Sequence, residues 1–356
     1  MEWGKYKYDN LFKLLKVTNK LSKSDLHKNG NIPVYSSEST NNGIIGYTKQ
    51  KPEFIIDSTS PIYVIFGDHS RNFNIATTDF CVADNVKVLS VNDIYSIRLV
   101  IYIISSWKKC IPNMWYSRHW SIAQEKLFDL PIKNWKIDFD FMESFIEELE
   151  KQKIEKLNNY LEVTWLKNHN LTSKEEKVLE DFESGKIEWG EFKIWNLFEI
   201  WTGSLLSNEE LKSWSIPRIS AKSDNNWIID YFNTTENINA RHFENFITVN
   251  FFGAEWWIFY HPYKASVEMK VHTLKIPKID FNVKTWNFIS TVLKIPLKWF
   301  GYWNQLSSSK LKELDYKISL PIKDNKPDYE LMETLISAIQ KTVIKDVVNY
   351  TDWKVN

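Results

Sequence analysis

The stretch EWGKYKYDNLF at residues 2–12 returns as EWGEFKIWNLF at residues 188–198, with seven of eleven positions identical. Three further segments return in the same order. IPVYSSESTNNGIIGY at 32–47 shares nine of sixteen positions with IPRISAKSDNNWIIDY at 216–231. Phe66-Gly67 of the first copy is matched to Phe252-Gly253 of the second. Residues 130–162 share thirteen of thirty-three positions with residues 320–352. Ordered matches at nearly constant spacing indicate a tandem duplication of one unit of about 187 residues.

Each copy begins with a block of about 130 residues that contains short apolar runs. The runs at 62–66, 86–91 and 97–104 are rich in β-branched and aromatic residues, which favour strands. Turn-forming residues such as Asn41-Asn42-Gly43 separate the runs. We predict an α+β fold with a curved, mixed and mostly antiparallel sheet in each block.

A helix is predicted to follow each block. Apolar residues recur at helical spacing over 141–161 and over 331–348, and Asp138 and Asp328 stand where an N-cap belongs. The apolar stripe of each helix needs a partner. We expect the two helices to pack as an antiparallel coiled coil with pseudo-twofold symmetry, and the alternative is that each helix docks on its own block.

The predicted domains are therefore two recognition blocks and two helical spacers, at 1–137, 138–187, 188–327 and 328–356. Thr172 or Ser173 with Glu175 or Glu176 resembles a capping box, which predicts a helical linker into the second copy.

Composition excludes several classes of protein. Two cysteines, Cys81 and Cys110, exclude a disulfide scaffold and fit a reducing compartment. The seven histidines show no zinc-ligand spacing, so no metal is expected. The start leads into a polar segment, and the apolar run 99–104 is too short to cross a bilayer. We expect a soluble, cytoplasmic protein.

The net charge of zero conceals an alternating pattern. Residues 1–137, 138–190, 191–327 and 328–356 carry net charges of +6, −7, +3 and −2. Two mildly basic blocks are compatible with contacts to phosphates, although ordinary solvated surfaces would give the same pattern.

Catalytic and cofactor motifs are absent from the sequence. It has no Asn/Asp-Pro-Pro-Tyr/Phe methyltransferase motif, no glycine-rich cofactor loop and no P-loop. Pro327-Asp328 lacks the following acidic and lysine residues of a nuclease motif. We therefore expect a protein that is not an enzyme and that needs no cofactor.

A duplicated module with a helical spacer suits the recognition of two half-sites, because the spacer fixes the distance and orientation of two reading surfaces. The copies differ most inside the blocks and agree at the block edges and helices. The pattern suits two readers of different sequence on a shared frame, and a duplicated protein-binding module would look similar.

The order Trp-x-x-Phe/Tyr-Lys, Asn-Leu-Phe, Ile-Pro-x-x-Ser, Asn-Asn-x-Ile and Leu-Pro-Ile before a helix resembles the specificity subunits of Type I restriction–modification systems and their Type IIB relatives. The resemblance covers essentially the whole chain. It implies that each block is a target recognition domain for half of a split site in double-stranded DNA. It also implies that the helices dock methyltransferase or fused restriction–modification subunits. The alternative is a scaffold of the same fold that binds proteins and does not recognise a DNA sequence.

Candidate DNA-contacting residues are polar or basic side chains in the loops of the two blocks. In the first copy they are Ser36, Ser37, Ser39, Asn41, Asn42, His69, Arg71, Asn72, Arg118 and His119. In the second copy they are Arg218, Ser220, Lys222, Ser223, Asn225, Asn226, Arg241 and His242. For the serine and asparagine residues, hydrogen bonds to the backbone of the turn are the competing explanation.

The two copies depart from each other at one turn. Gly43 of the first copy is replaced by Trp227 in the second, so an Asn-Gly turn is expected only in the first. We therefore expect the second loop to differ, and Asn42 and Asn226 to have unequal roles.

Overall fold

A computed structural model describes the chain except residues 93–95, 116, 208–212, 223, 252–257, 278, 280–281, 302, 314–315 and 356, and the side chains of 213–214 and 312–313. The chain divides into two compact units, Met1–Leu157 and Asn158–Asn356. None of the described helices is both long enough and apolar enough to cross a membrane.

The first unit contains three small sheets and two main helices. Its strands are β1 Glu2–Tyr6, β2 Phe12–Leu15, β3 Lys20–Leu21, β4 Ile32–Tyr35, β5 Ile44–Thr48, β6 Tyr63–Gly67, β7 Phe73–Ala76, β8 Cys81–Ala83, β9 Val86–Val91, β10 Phe128–Lys133 and β11 Lys136–Ile137. Its helices are α1 Ile97–Cys110, α2 Trp120–Ala123 and α3 Phe139–Val163, which crosses into the second unit. The sheet orders are β1-β10-β11, β2-β9-β6-β7 and β3-β8-β4-β5.

The second unit repeats this plan. Its strands are β12 Trp189–Lys193, β13 Glu199–Thr202, β14 Ser213–Ile219, β15 Ile228–Phe232, β16 His242–Phe243, β17 Phe246–Asn250, β18 Ile258–His261, β19 Ala265–Val267, β20 Val271–Lys275, β21 Lys317–Lys323 and β22 Lys326–Pro327. Its helices are α4 Ser173–Glu183, α5 Ile194–Leu197, α6 Val283–Leu297, α7 Ser308–Glu313 and α8 Tyr329–Val355. The sheet orders are β12-β21-β22, β13-β20-β17-β18 and β15-β14-β19-β16. The α+β prediction is confirmed.

The repeated sequence segments are neighbours in space. Trp3 of β1 pairs with Pro131 of β10, and Trp189 of β12 pairs with Pro321 of β21. In each unit, the first strand therefore pairs with the longer strand, β10 or β21, of the hairpin that leads into the long helix. This pairing closes the block and explains why its two ends are the best-matched parts of the repeat.

The strand register corrects one match made from the sequence. In the first unit Val64 pairs with Leu89, and in the second Ile247 pairs with Leu274. Phe66 therefore corresponds to Val249. The match of Phe66-Gly67 to Phe252-Gly253 was wrong in register, and residues 252–253 lie outside the described part of the chain.

The apolar run at 97–104, which the sequence analysis grouped with the strands, is helical. It begins α1, where Ser96 accepts a hydrogen bond from the Arg98 backbone as the N-cap. The buried residues are Val100, Ile103, Ile104 and Trp107, which share one helical face. The spacing of the buried positions therefore overrides the strand preference of the β-branched residues.

Both long helices start at their expected caps and dock on their own unit. Asp138 and Asp328 each accept a hydrogen bond, 2.9 Å long, from the backbone three residues onward. Arg98 of α1 lies 3.1–3.5 Å from three glutamates of α3, namely Glu143, Glu147 and Glu150. In the second unit α8 packs on α6 and α4. Part of each helix therefore docks on its own block, which was the alternative to a coiled coil. The antiparallel pairing of the two helices stays a prediction.

A buried ion pair joins α4 to α8. The Glu175 carboxylate lies 2.7 Å from Lys341 Nζ, and it also closes the expected capping box with Thr172. Burial alone would raise the pKa of Glu175, but hydrogen bonds from Lys341, Thr172 and Ser337 lower it to about 2. The free energy that this group contributes is therefore fully present above pH 4.5 and is lost as the pH falls towards 2.

Glu175→Gln is expected to lower the stability of the second unit at pH 7, by an amount on the order of 2–3 kcal/mol. It is also expected to flatten the decline of stability between pH 4.5 and 2. Urea unfolding at pH 7 and pH 3 measures both effects. The neighbouring exposed Glu176→Gln is the control, expected to follow the wild type. Parallel pH profiles for wild type and Glu175→Gln would contradict the assignment.

Candidate functional site

A polar cavity of about 590 Å³ lies on the first unit, where the chain leaves β4, β6 and β8 and passes the end of α1. We call it the serine pocket. Its lining is almost entirely hydroxyl, amide, carboxylate and imidazole groups, with one indole: Ser36, Ser37, Glu38, Ser39, His69, Ser70, Asp84, Asn85, Asn113 and Trp115. Four of the residues predicted from sequence, Ser36, Ser37, Ser39 and His69, are therefore brought together here.

Backbone groups hold the pocket walls in place. The Ser37 hydroxyl donates to the Asn85 carbonyl, and the Asp68 backbone N–H donates to the same carbonyl at 2.9 Å. Ser36 Oγ accepts from the Glu38 backbone. The loops after β4, β6 and β8 are thus tied to one another, so the pocket does not need to be assembled when a ligand arrives.

His119 anchors the loop that carries Trp115. It is fully buried, its Nδ1 contacts the Asp68 carbonyl at 2.9 Å, and its Nε2 accepts from the Met114 backbone at 3.1 Å. The Asp68 carboxylate accepts from the Trp120 backbone at 2.7 Å. Both ring nitrogens of His119 are occupied, so its role is structural and not the DNA contact expected from sequence.

The charged groups at the pocket include two carboxylates, Glu38 and Asp84, and two neighbouring cations, Lys20 and Arg118. A hydrogen bond from Lys20, with a smaller contribution from Arg118, lowers the pKa of Asp84. Glu38 is exposed. Arg118 is exposed, and within the described residues no hydrogen bond or ion pair holds its guanidinium. The pocket can therefore accept hydrogen bonds from amino groups, with a cation beside it.

Four other predicted residues of the first unit bond to the protein itself. Asn41 donates to the Ile44 carbonyl and Asn42 to the Ile75 carbonyl. Arg71 donates to the Ile111 carbonyl, and Asn72 accepts from Lys108. Turn chemistry, the competing explanation, describes Asn41, whereas the other three tie together segments that are distant in sequence.

The turn that was expected to differ between the copies is the same in both. Asn41, Asn42 and Gly43 have φ of 48°, 49° and 77°, and Asn225, Asn226 and Trp227 have φ of 48°, 47° and 63°. The expectation of a different second loop was wrong. Trp227 is fully buried and packs edge-on against Phe259 with ring centroids 5.4 Å apart, which holds a bulky residue in a left-handed conformation.

In the second unit, the same turn presents different chemistry. Ser220 and Lys222 stand at the positions of Ser36 and Glu38, and Lys222 lies 3.2 Å from Asp224. Asn225 donates to the Ile228 carbonyl, as Asn41 does to Ile44. Register places Met269-Lys270 at the position of Asp84-Asn85. The two carboxylates of the first unit are thus replaced by a lysine and a methionine, while Ser223 lies outside the described residues.

Arg241 lies just before β16 and His242 lies on it, at the edge of the β15-β14-β19-β16 sheet opposite β15. Arg241 is exposed and donates from Nη1 to the Thr202 carbonyl at 3.0 Å. His242 is half-buried, with Nε2 2.9 Å from the Thr234 hydroxyl. Burial, then the charges of Lys264 and Arg218, lower the pKa of His242. A neutral imidazole is therefore expected here at neutral pH.

Arg218 is part of the core. It is 2% exposed, and its guanidinium donates to Ser266 Oγ at 2.7 Å and to the Ser204 carbonyl at 2.9 Å. The same positions of the first unit hold Val34 and Cys81, a buried apolar pair in the same register. The sequence analysis assigned Arg218 to DNA contact, and the structure gives it an internal role instead.

Ser266→Val is expected to destabilise the second unit by about 1–3 kcal/mol, because it leaves a buried Arg218 donor without its acceptor. The double variant Arg218→Val/Ser266→Cys recreates the Val34–Cys81 pair of the first unit. It is expected to be more stable than Ser266→Val and to recover most of the loss. Urea unfolding midpoints check this. An unchanged urea midpoint for Ser266→Val would contradict the structural role of Arg218.

Sequence reasoning missed Glu38, Asp84, Asn85, Asn113 and Trp115. Asp84-Asn85 between two apolar runs is an ordinary turn signal, and only the fold brings it beside Ser37. Among the described residues, no group of three histidine, cysteine, aspartate or glutamate side chains could hold a metal ion.

Comparisons with known proteins agree with the duplication. The family model described as "Type I restriction modification DNA specificity domain" matches residues 1–159 and again 186–349. The specificity subunit S.BcgI of a Type II restriction enzyme from Heyndrickxia coagulans is 26% identical over 329 residues, covering 91% of this chain and 90% of that protein. The crystal structure of a Type I restriction–modification S subunit from M. genitalium superposes with a TM-score of 0.58 at 16% identity, over 99% of this chain and 92% of that one. That structure shares the fold.

Proposed function

The chain belongs to the Type I restriction modification DNA specificity domain family, and from this premise we propose that it recognises a bipartite DNA sequence as the specificity subunit of a restriction–modification enzyme. Blocks 1–137 and 188–327 each contact one half-site, and residues 138–187 and 328–356 are the spacers. The chain catalyses no reaction itself. Methyl transfer and cleavage belong to the subunits that it positions, in the cytoplasm where the host DNA lies.

The main support for the proposal is that the two units share the same backbone turn but place different side chains beside it. The same left-handed turn is followed by the same strand in both units. Beside it the first unit presents Glu38 and Asp84, whereas the second presents Lys222 and Met269 at those positions. Carboxylates accept hydrogen bonds from the amino groups of cytosine or adenine, and lysine donates to guanine or to phosphate. Two half-sites of different sequence follow from this difference.

The proposed DNA contacts are narrower than the set predicted from sequence. In the first unit they come from Ser36, Ser37, Ser39 and His69 in the serine pocket and from Arg118 beside it. In the second unit they come from Ser220, Lys222, Ser223, Asn226, Arg241 and His242. Asn41 and Asn225 each hold their own turn, Asn42, Arg71 and Asn72 hold the surrounding loops of the first unit, and His119 and Arg218 lie in the interior.

The long helices are the proposed docking surface for methyltransferase or fused restriction–modification subunits. Along α8, Val343 is 72% exposed and Trp353 is 71% exposed, which leaves apolar surface for a partner. We retain the antiparallel coiled coil of α3 and α8, with pseudo-twofold symmetry, as the proposed ruler between the half-sites.

The test is to express the chain with a methyltransferase subunit of the same locus and to map methylated bases across a genome by long-read sequencing. A bipartite methylated motif that disappears when this chain is omitted would support the proposal. A motif that persists without the chain, or an assembled complex that methylates no defined motif, would overturn it in favour of the scaffold alternative.

A further inference from the structure

Each unit carries an exposed tryptophan at the same place. Trp115 is 86% exposed in the loop between α1 and α2, and Trp303 is 96% exposed in the loop between α6 and α7. We name residues 112–118 and 299–305 the tryptophan loops. Single exposed apolar side chains are common on proteins, so exposure of one tryptophan alone would mean little.

The two loops occupy corresponding positions in the two units. The backbone N–H that follows each loop donates to the end of the strand pair at its base: His119 to Asp68 and Leu306 to Phe251. Within each loop a four-residue turn is closed by a backbone bond, from Ser117 to Met114 and from Asn304 to Gly301. In sequence, the residues between these bonded partners read Trp115-Tyr116 in one unit and Tyr302-Trp303 in the other, and only the two tryptophans belong to the described part of the chain.

The neighbours of this aromatic pair have changed between the units. Met114 and Ser117 are replaced by Gly301 and Asn304, and Arg118 and His119 by Gln305 and Leu306. A tryptophan and a tyrosine have been kept side by side in sequence while the residues around them diverged. The loop is also held rigidly, because the buried His119 or Leu306 fixes its base.

The surroundings of Trp115 indicate which ligand it meets. The indole lines the serine pocket together with Ser39 and His69, and the exposed Arg118 follows three residues later. Its φ of 55° is an uncommon conformation for a bulky residue, and it directs the ring outward only because the loop is anchored. A flat apolar ring beside hydrogen-bonding groups and a cation matches duplex DNA, which offers base edges, thymine methyl groups and phosphates.

We infer that Trp115 and Trp303 are DNA-contacting residues, one for each half-site, which pack their indole rings against base edges and thymine methyl groups in the groove. This inference rests on the proposed function. Such contacts add affinity by apolar packing, whereas arginine and lysine contacts to phosphate add it by release of counterions.

The experiment uses the full chain assembled with its methyltransferase subunit and a duplex that contains the mapped motif. Trp115→Ala and Trp303→Ala are each expected to weaken binding roughly 5- to 150-fold, with the salt dependence of affinity unchanged. The corresponding phenylalanine variants are expected to retain most of the affinity. Arg118→Ala is expected to lower the salt slope by about one.

Trp135→Ala is the matched control. Trp135 is 91% exposed with φ of 67°, but the equivalent position of the second unit is Asn325. It is expected to leave affinity and melting temperature unchanged. Trp115→Ala is further expected to relax discrimination in one half of the motif, and Trp303→Ala in the other.

Two results would overturn the inference. One is that both alanine variants bind DNA as tightly as Trp135→Ala. The other is that they weaken capture of the methyltransferase subunit while the assembled complex keeps its DNA affinity, which would make the loops a protein-docking surface. Both results presuppose a wild-type complex that methylates a bipartite motif, so they are distinct from a failure of the proposed function.

Discussion

Trp107→Ala is expected to remove about 3–5 kcal/mol from the stability of the first unit. Trp107 is fully buried at the centre of an aromatic cluster, with ring centroids 4.9–6.3 Å from those of Tyr8, Phe12, Phe66, Phe73, Trp120 and Phe128. Its Nε1 donates to the Ala123 carbonyl at 2.9 Å. The substitution leaves a cavity and removes one of the two hydrogen bonds to the Ala123 carbonyl, which keeps the bond from the Lys126 backbone. The total stability of the molecule is expected to be only about 5–15 kcal/mol.

Urea unfolding followed by circular dichroism measures this loss. Because α1 and α2 flank the loop of Trp115, affinity for DNA is expected to fall together with stability. Trp135→Ala removes an equally large but exposed side chain and is expected to change stability by less than about 0.5 kcal/mol. A loss below about 1 kcal/mol for Trp107→Ala would show that the ring does not organise the core.

Gly43→Trp is expected to destabilise the first unit by about 2–5 kcal/mol, although the second unit has tryptophan at this position. A Cβ at Gly43 would lie 2.1 Å from Nδ2 of Asn74, a buried side chain of β7. In the second unit the corresponding pair is Trp227 and Phe259, whose rings pack together. The turn therefore accepts tryptophan only when the facing strand residue changes with it.

Adding Asn74→Phe to Gly43→Trp is expected to recover at least about 1 kcal/mol, a coupling typical of residues in contact. The four proteins of this double-mutant cycle are compared by their urea midpoints. If the changes in unfolding free energy of the two substitutions simply add, the residue at the turn and the residue on the facing strand are not coupled, which would contradict this explanation.

The duplication and the position of the long helices could be predicted from sequence, because both depend on local patterns. The segments at 2–12 and 130–133 repeat at 188–198 and 320–323, and the structure pairs them as strands. The run at 97–104 was misassigned because its β-branched residues favour strands. The helix buries residues 100, 103, 104 and 107 against the sheet on which it packs, and this spacing is helical.

The candidate site was predictable only in part. Loop serines were identified correctly as neighbours, but His119 and Arg218 are polar residues whose partners come from distant strands, which no local pattern reveals. The rule that glycine is needed for a left-handed turn failed at Trp227, because burial against Phe259 outweighs the backbone strain. Trp115 carries no polar signal at all, and only its exposure and its counterpart Trp303 single it out.

The most direct test of the central claim is an exchange of one recognition block. Residues 1–137 are replaced by the corresponding block of another specificity subunit whose first half-site differs, and methylation is mapped with the same methyltransferase subunit. The account predicts that one half of the bipartite motif changes while the other half and the spacing between them stay the same. A change in both halves, or an unchanged motif from a complex that still assembles, would contradict it.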